Sequence, residues 1–156
     1  MIKVLIVFAT LTGNTETVAT HLYESFINDQ SSNLKDHIEL EIKDLFDVET
    51  GEFSDYDLVV FGTSTWGEGE MNPVAEEFFM DIDSIKFKKG TKFALFGLGE
   101  SHYEIFCSAV HETAKIFREL KANIVGEIYE IDGYPDDEIL ESTYKWFIDI
   151  LIEVSK

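Results

Sequence analysis

Apolar runs at regular intervals constrain the fold of this chain more than any other feature. Residues 2–9, 58–62 and 93–96 are nearly continuous stretches of Val, Ile, Leu, Phe and Ala. Runs of this kind, without regular polar alternation, are typical of strands buried on both faces of a parallel sheet. Stretches with apolar residues at helical spacing lie between them. The expected architecture is therefore a parallel sheet covered by helices.

Two further strands complete the predicted sheet. Residues 38–42 alternate apolar and charged side chains, which indicates an edge strand, and residues 124–131 form the last strand. Helices are predicted from Thr15 to about Phe26, over 73–81, around 106–120 and from Asp136 onward. Strands that alternate with helices in this way fit a doubly wound α/β sheet of order 2-1-3-4-5, with helices on both faces. A chain of 156 residues suits one domain, predicted to span 1–156.

Three loops meet at one edge of this predicted sheet. Ligands of such sheets bind outside the carboxyl ends of the strands, where the strand order reverses between strands 1 and 3. Loops 10–15, 63–72 and 97–103 begin at this edge. We therefore expect the binding site to lie among them.

The first loop, residues 10–15 (TLTGNT), joins the first strand to the first helix. A helix start offers unpaired N–H groups and the positive end of the helix dipole, which together bind phosphate well. Threonine hydroxyls can add donors, and Gly13 lets the backbone approach closely. The same residues also fit an ordinary turn with an Asn or Thr side chain capping the helix. This stretch alone leaves both readings open.

Aromatic residues accompany glycines in the other two loops. Trp66 stands beside Gly67 in the second loop, and Tyr103 follows Gly97 and Gly99 in the third. Either ring can cover a flat ligand, although both rings also suit a simple cap on the end of the sheet. A phosphate site flanked by two aromatic rings suits a mononucleotide with a flat ring, such as flavin mononucleotide (FMN).

These loops resemble those of the flavodoxin family. Residues 10–15 match the family's T/S-x-T-G-x-T phosphate loop, and residues 64–67 (STWG) resemble the loop whose Trp stacks on one flavin face. Residues 99–107 (GESHYEIFC) resemble the loop whose Tyr covers the other face, and 131–135 (IDGYP) resemble the segment before the last helix. The chain lacks the insertion that long-chain flavodoxins carry in strand five, so it is more similar to the short-chain type.

The resemblance implies that FMN binds to these three loops. The implied phosphate ligands are the side chains of Thr10, Thr12, Asn14 and Thr15 and the backbone N–H groups of Leu11 and Gly13. The implied contacts around the flavin ring and ribityl chain are Ser64, Thr65, Trp66, Gly67, Leu98, Gly99, Glu100, Tyr103, Phe106 and Cys107. The peptide after Gly67 is implied to turn when the flavin is reduced, so that its carbonyl meets flavin N5 and stabilises the semiquinone.

The resemblance further implies a low-potential one-electron carrier without substrate turnover of its own. It would hold FMN non-covalently and shuttle electrons between redox enzymes through semiquinone and hydroquinone states. No catalytic residue and no metal site is expected, because the cofactor carries the chemistry. An FMN-dependent NAD(P)H or quinone reductase remains the alternative. A response regulator would need acids where Thr10 and Thr63 stand, and a low-molecular-weight phosphatase would need Cys and Arg at the phosphate loop.

Charge narrows the range of partners. With 31 acidic and 12 basic residues, the net charge of −19 repels nucleic acids and anionic membranes and favours basic proteins. By the resemblance, such partners are an NADP reductase and electron-accepting enzymes. No Lys or Arg lies in the three loops, whereas seven lysines fall at or before strand starts: Lys3, Lys35, Lys86, Lys88, Lys89, Lys92 and Lys121. The ligand end is therefore expected to be negative, which disfavours fully reduced flavin.

Cysteine and apolar content bear on location. Cys107 is the only cysteine, so no internal disulfide forms, which fits a reducing compartment. No apolar stretch reaches the roughly 18 residues of a membrane span. Met1 leads directly into the first predicted strand, so we expect no signal peptide. We expect a cytoplasmic monomer.

Overall fold

A computed structural model describes residues 1–10, 13–66, 70–100 and 107–156, with Trp66 described through its backbone only. Its strands are β1 (Ile2–Phe8), β2 (Ile38–Asp44), β3 (Leu58–Trp66), β4 (Glu70–Met71), β5 (Lys92–Gly99), β6 (Asn123–Ile124) and β7 (Tyr129–Asp132). They form one sheet of order β2-β1-β3-β5-β6, in which β7 also pairs with β5 and β4 pairs with β3. All pairs are parallel except β3 with β4. The predicted doubly wound sheet is confirmed.

The first apolar run forms an interior strand of the sheet, next to the edge strand. In β1, residues Val4 to Val7 have no solvent exposure, and the strand pairs with β2 on one side and β3 on the other. β2 lies at the edge, where buried Ile38 and Leu40 alternate with exposed Glu39. Continuous apolar sequence thus marks the buried strand, and alternating sequence marks the edge strand.

Helices cover both faces of the sheet, as predicted. They are α1 (Asn14–Asn28), α2 (Pro73–Phe78), α3 (Ser108–Glu119) and α4 (Asp137–Val154). Successive β1 residues point to opposite faces. Val4 and Ile6 therefore pack with α1 and α4, and Leu5 and Val7 with α2 and α3. Among the described residues, no helix is both long and apolar enough to cross a bilayer.

The second helix is shorter than predicted. α2 ends at Phe78 rather than at residue 81, because the chain turns there and also buries Phe79. The Phe79 ring packs edge-on against Phe117 of α3, with 5.7 Å between ring centroids. Burial of both neighbouring phenylalanines therefore overrides the helical pattern.

The predicted loops at 63–72 and 97–103 begin later than expected. β3 continues to Trp66 and turns back as β4, with Thr65 opposite Met71 and Trp66 opposite Glu70. The β3–β5 ladder likewise extends to Ser64 opposite Leu98. Glycines and polar residues suggested loops, but pairing between neighbouring strands satisfies the backbone here.

The predicted fifth strand, 124–131, is wrong as one continuous strand. Phe93 pairs with Ile124 and Phe96 pairs with Tyr129, so residues 125–128 lie opposite only two residues of β5. The two extra residues bulge out of the sheet and split the strand into β6 and β7. Gly126 has a φ of 71°, and a Cβ there would lie 2.1 Å from Ile150 Cδ1, so both backbone and packing require glycine.

Candidate functional site at the carboxyl edge of the sheet

The predicted site residues that the structure describes lie at the carboxyl ends of β1, β3 and β5. Thr10 follows β1, and the Ala9 N–H donates a hydrogen bond to the Gly62 carbonyl of β3 at 2.9 Å. Ser64 and Thr65 end β3, and Leu98 lies beside Ser64 on β5. The parallel sheet therefore brings residues distant in sequence to one edge.

The start of α1 has no side-chain cap. Its N-cap is Gly13, with a φ of 94°, and no side chain of the described residues hydrogen-bonds to the first turn as a cap. The Gly13 N–H instead donates to Thr10 Oγ1 at 2.9 Å. No atom of the described residues outside the immediate chain neighbours lies within 4 Å of the position that a Gly13 Cβ would occupy. The alternative of an Asn or Thr N-cap is thus wrong, and the helix start is open to an anion.

Thr15 carries a buried hydroxyl without a partner. The residue is 1% exposed in the first turn of α1, and its Oγ1 makes no hydrogen bond to any residue that the structure describes. A buried, unpaired hydroxyl costs about 1–3 kcal/mol, so such a group usually has a ligand or a structural reason. Asn14 begins the same turn. Leu11 and Thr12, also predicted to bind phosphate, lie outside the described residues.

The end of β3 is tied to α3. The Ala109 N–H in the first turn of α3 donates to Thr65 Oγ1 at 3.0 Å. Thr65 therefore positions this helix and keeps its own hydroxyl proton for another acceptor. Trp66 pairs through its backbone with Glu70. The Trp66 ring and Gly67 lie outside what the structure describes.

The end of β5 leaves no space for a side chain at Gly99. A Cβ on Gly99 would lie 2.9 Å from the Cys107 nitrogen, and the Gly99 carbonyl accepts a hydrogen bond from the Gly133 N–H at 2.8 Å. Leu98 is buried and Glu100 is exposed. Tyr103 and Phe106 belong to the undescribed stretch 101–106.

The sequence predicted that Cys107 lies inside a helix. In the structure it lies directly before α3. It is the N-cap residue of α3, with a φ of 51° and no solvent exposure. Its Sγ lies 3.6 Å from the Gly97 carbonyl. Burial raises the pKa of the thiol to about 12, so it stays protonated and unreactive.

Two further polar residues near this edge were not among the predicted site residues. Thr63 has no exposure, and its hydroxyl has no hydrogen-bond partner within the described part of the chain. Asn72 is equally buried, and its Oδ1 accepts the Val74 N–H at 2.8 Å, whereas its Nδ2 has no partner among the residues described. The Asn-Pro pair at 72–73 is a helix-start signal that predicts the capping role, but nothing local predicts burial.

Basic residues lie at the opposite edge of the sheet. Asp57, just before β3, accepts the Lys3 N–H at 2.8 Å and pairs with Lys88 at 2.7 Å. The Lys88 hydrogen bond is the main reason that the pKa of Asp57 is lowered. Lys92 begins β5 at the same edge. Among the described residues, no cluster of His, Cys, Asp or Glu is able to hold a metal ion.

Comparison with known proteins identifies the family. The flavodoxin family model matches residues 6–147. The chain belongs to the flavodoxin family. The flavodoxin of Maridesulfovibrio salexigens is 38% identical over 144 residues, which cover 90% of this chain and 93% of that protein. The crystal structure of oxidised flavodoxin 1 from Bacillus cereus has a TM-score of 0.81 at 28% identity and covers 97% of both chains. A short-chain flavodoxin structure has a TM-score of 0.82 at 25% identity, with full coverage of both chains.

Membership of the family establishes the activity. Flavodoxins are small FMN-binding proteins that carry electrons to redox enzymes and do not turn over a substrate of their own. The reductase alternative is therefore not favoured. The described residues fit FMN, because the uncapped start of α1 and the unpaired Thr15 hydroxyl both suit a phosphate.

Proposed function

We propose that this flavodoxin holds FMN at the carboxyl edge of its sheet through three segments. The proposed FMN ligands are Thr10, Leu11, Thr12, Gly13, Asn14, Thr15, Ser64, Thr65, Trp66, Gly67, Leu98, Gly99, Glu100, Tyr103, Phe106 and Cys107. One observation carries the proposal. Among the described residues, the Thr15 hydroxyl is buried without a partner, in the first turn of a helix that no side chain of these residues caps. A phosphate bound there would accept hydrogen bonds from the Thr15 hydroxyl and from the N–H groups at the start of α1.

Neutral donors hold the phosphate in this proposal. The nearest basic residues in sequence are Lys3 and Lys35, and neither lies within loop 10–15. Hydroxyl groups and the N–H groups of the first α1 turn then supply all the hydrogen bonds. The helix dipole contributes a positive potential there, equivalent to roughly half an elementary charge.

The ends of β3 and β5 orient the ring. FMN supplies the one-electron redox chemistry, and the chain binds, orients and shields the flavin. The Thr65 hydroxyl is held by the Ala109 N–H, and Gly99 lets the backbone of the third segment run close to Cys107. The Cys107 side chain is fully buried, so its proposed role is through its backbone and its support of Gly99.

The negative surroundings of the site support a low reduction potential. Glu70 and Glu100 are exposed at the carboxyl edge, while Lys3, Lys88 and Lys92 lie at the other edge. These carboxylates then repel the negative charge that an added electron places on the ring. A carboxylate at ~10 Å costs about 0.4–1.7 kcal/mol for an effective dielectric constant of 20–80, before screening by salt.

The same charge distribution favours basic redox proteins as partners. Partners with a positive surface, such as an NADP reductase, would be steered to the flavin end and would dissociate as salt rises.

The net charge of −19 opposes self-association, which supports a monomer. Both cores share one sheet, which supports a single domain over 1–156. A cytoplasmic location is proposed from the single, reduced cysteine.

Absorbance of the purified protein tests this proposal. We expect flavin bands, and extraction should yield FMN equimolar with the chain. Steady-state oxidation of NADPH should be absent, whereas a basic redox protein should be reduced at a rate that falls with ionic strength. A colourless protein that gains no flavin bands when FMN is added would contradict the proposal.

A further inference from the structure

Phe46 is a large apolar residue whose side chain is exposed to solvent. It is 76% exposed, although its neighbour Leu45 is 1% exposed and Val48 is 8% exposed. The Phe46 N–H donates to Asp44 Oδ1 at 2.9 Å, and the Val48 N–H donates to the Leu45 carbonyl at 3.0 Å. Two buried anchors and two hydrogen bonds thus fix a short helical turn that directs Phe46 outward. Its exposure is a defined feature of the fold.

A groove separates Phe46 from α2. Its volume is about 200 Å³, and its walls are Leu45, Phe46, Val48, Val74, Glu77 and Phe78, here called the Phe46 groove. Five of these six residues are apolar. A concave apolar surface on a charged protein commonly marks a site of association.

The Phe46 groove opens at the edge of the sheet that carries the proposed FMN site. Asp44, which precedes the Phe46 turn, pairs with Phe8 at the end of β1, and Thr10 follows two residues later. On the other wall, α2 follows directly after β4, which pairs with Thr65 and Trp66. A protein seated in the groove would therefore lie beside the proposed flavin site.

Charges around the groove restrict its occupant. Asp47, Glu49, Glu76 and Glu77 are exposed on the two walls or next to them. The sequence from 44 to 85 contains no Lys, Arg or His. A second copy of this chain would bring the same acidic rim and a net charge of −19. The complementary surface is a basic one with an apolar side chain at its centre.

We propose that the Phe46 groove docks an apolar side chain of a basic redox partner and so anchors that partner next to the flavin. This inference rests on the proposed function, because it assumes that basic partners approach the carboxyl edge. Acidic residues then attract the partner, and Phe46 supplies the buried contact that fixes its position. Aromatic anchors of this kind carry much of the affinity of many interfaces.

Truncation of Phe46 tests the inference in the FMN-loaded protein. The partner used is a basic c-type cytochrome, with ferricyanide as a small anionic acceptor that needs no docking groove. Phe46→Ala should weaken binding of the cytochrome, and slow its reduction at limiting concentration, by about tenfold. FMN affinity and the rate with ferricyanide should not change.

Ile27→Ala is the matched control, because Ile27 is 42% exposed near the end of α1, at the opposite edge of the sheet. It should leave the cytochrome reaction unchanged. If Phe46→Ala and wild type bind the cytochrome equally while salt still weakens both, only the groove inference is overturned. If wild type shows no salt-sensitive reaction, the proposed partner class fails as well. A wild-type dimer that Phe46→Ala abolishes, measured by analytical ultracentrifugation, would overturn the inference in favour of a second copy.

Discussion

Thr15→Val should change the stability of the apoprotein and the affinity for FMN in opposite directions. The Thr15 hydroxyl is buried and has no partner in the described structure, so the apoprotein bears its desolvation cost of about 1–3 kcal/mol. Valine has nearly the same shape and replaces the hydroxyl by a methyl group. We therefore expect the unfolding free energy of the apoprotein to rise by about 1 kcal/mol.

FMN binding should weaken in the same variant. In the proposed site the hydroxyl donates to a charged phosphate, and hydrogen bonds to charged groups contribute about 1.5–3 kcal/mol. Since about 1.4 kcal/mol is a factor of ten, the dissociation constant should rise about tenfold to a hundredfold. Urea unfolding of the apoprotein measures the first effect, and quenching of FMN fluorescence measures the second.

Thr113→Val is the matched control. Thr113 is also buried in a helix, but its hydroxyl donates to the Ala109 carbonyl at 2.8 Å. Loss of that satisfied bond should not stabilise the apoprotein, and FMN affinity should stay unchanged. Thr15→Ser, which keeps a hydroxyl, should retain most of the affinity. If Thr15→Val binds FMN as tightly as wild type, the Thr15 hydroxyl does not bind the phosphate.

Three further predictions concern the sheet and its charges. The pKa of Asp57 is lowered chiefly by the hydrogen bond from Lys88, so the stabilisation from this pair is present above about pH 4 and is lost as pH falls through the folded pKa. Lys88→Gln should lower the urea midpoint of the apoprotein at pH 7, by an amount that shrinks progressively as pH falls below about 4. A loss that does not shrink with falling pH would contradict this. Gly62→Ala places a Cβ 2.1 Å from Phe96 Cζ and should lower the unfolding free energy by about 1–3 kcal/mol; a change under about 0.5 kcal/mol would refute the overpacking. Glu100→Gln should raise the reduction potential of the second one-electron step by about 20–70 mV in a redox titration, and this shift should shrink at high salt. If the potential does not shift at low salt, the Glu100 carboxylate lies too far from the ring to affect it.

The central architecture follows from local sequence signals. β1 and β3 read as continuous apolar runs because both of their faces are buried, and β2 alternates because it lies at the edge. α4 has an Asp136 cap, whose side chain accepts the Ile139 N–H at 2.9 Å, and a clear apolar stripe. In these elements, local preference and tertiary packing agree.

Other boundaries depend on tertiary contacts that local patterns do not reveal. The bulge at 125–128 depends on the register between β5 and its neighbour and on the space above Gly126. The β3–β4 hairpin consists of residues that by themselves favour a loop. α2 ends earlier than predicted because Phe79 is buried in the core. Pairing and packing across the sheet decide each of these cases.

The candidate site was predictable as three loops at one edge, since the topology follows from the strand order. Its inner contacts were not. The bond from the Ala109 N–H to Thr65 joins residues 44 positions apart, and the Cys107 thiol packs against the Gly97 carbonyl. The unpaired hydroxyls of Thr15 and Thr63 are recognisable only once burial is known.

Titration of the apoprotein with FMN and riboflavin at increasing ionic strength tests the central claim most directly. If neutral donors and a helix start hold the phosphate within a negative surrounding, FMN should bind far more tightly than riboflavin. Its affinity should stay constant or rise with salt, because salt screens repulsion between the phosphate and the acidic chain. Equal affinity for both flavins would contradict a phosphate site on α1, and FMN affinity that falls steeply with salt would contradict binding by neutral donors.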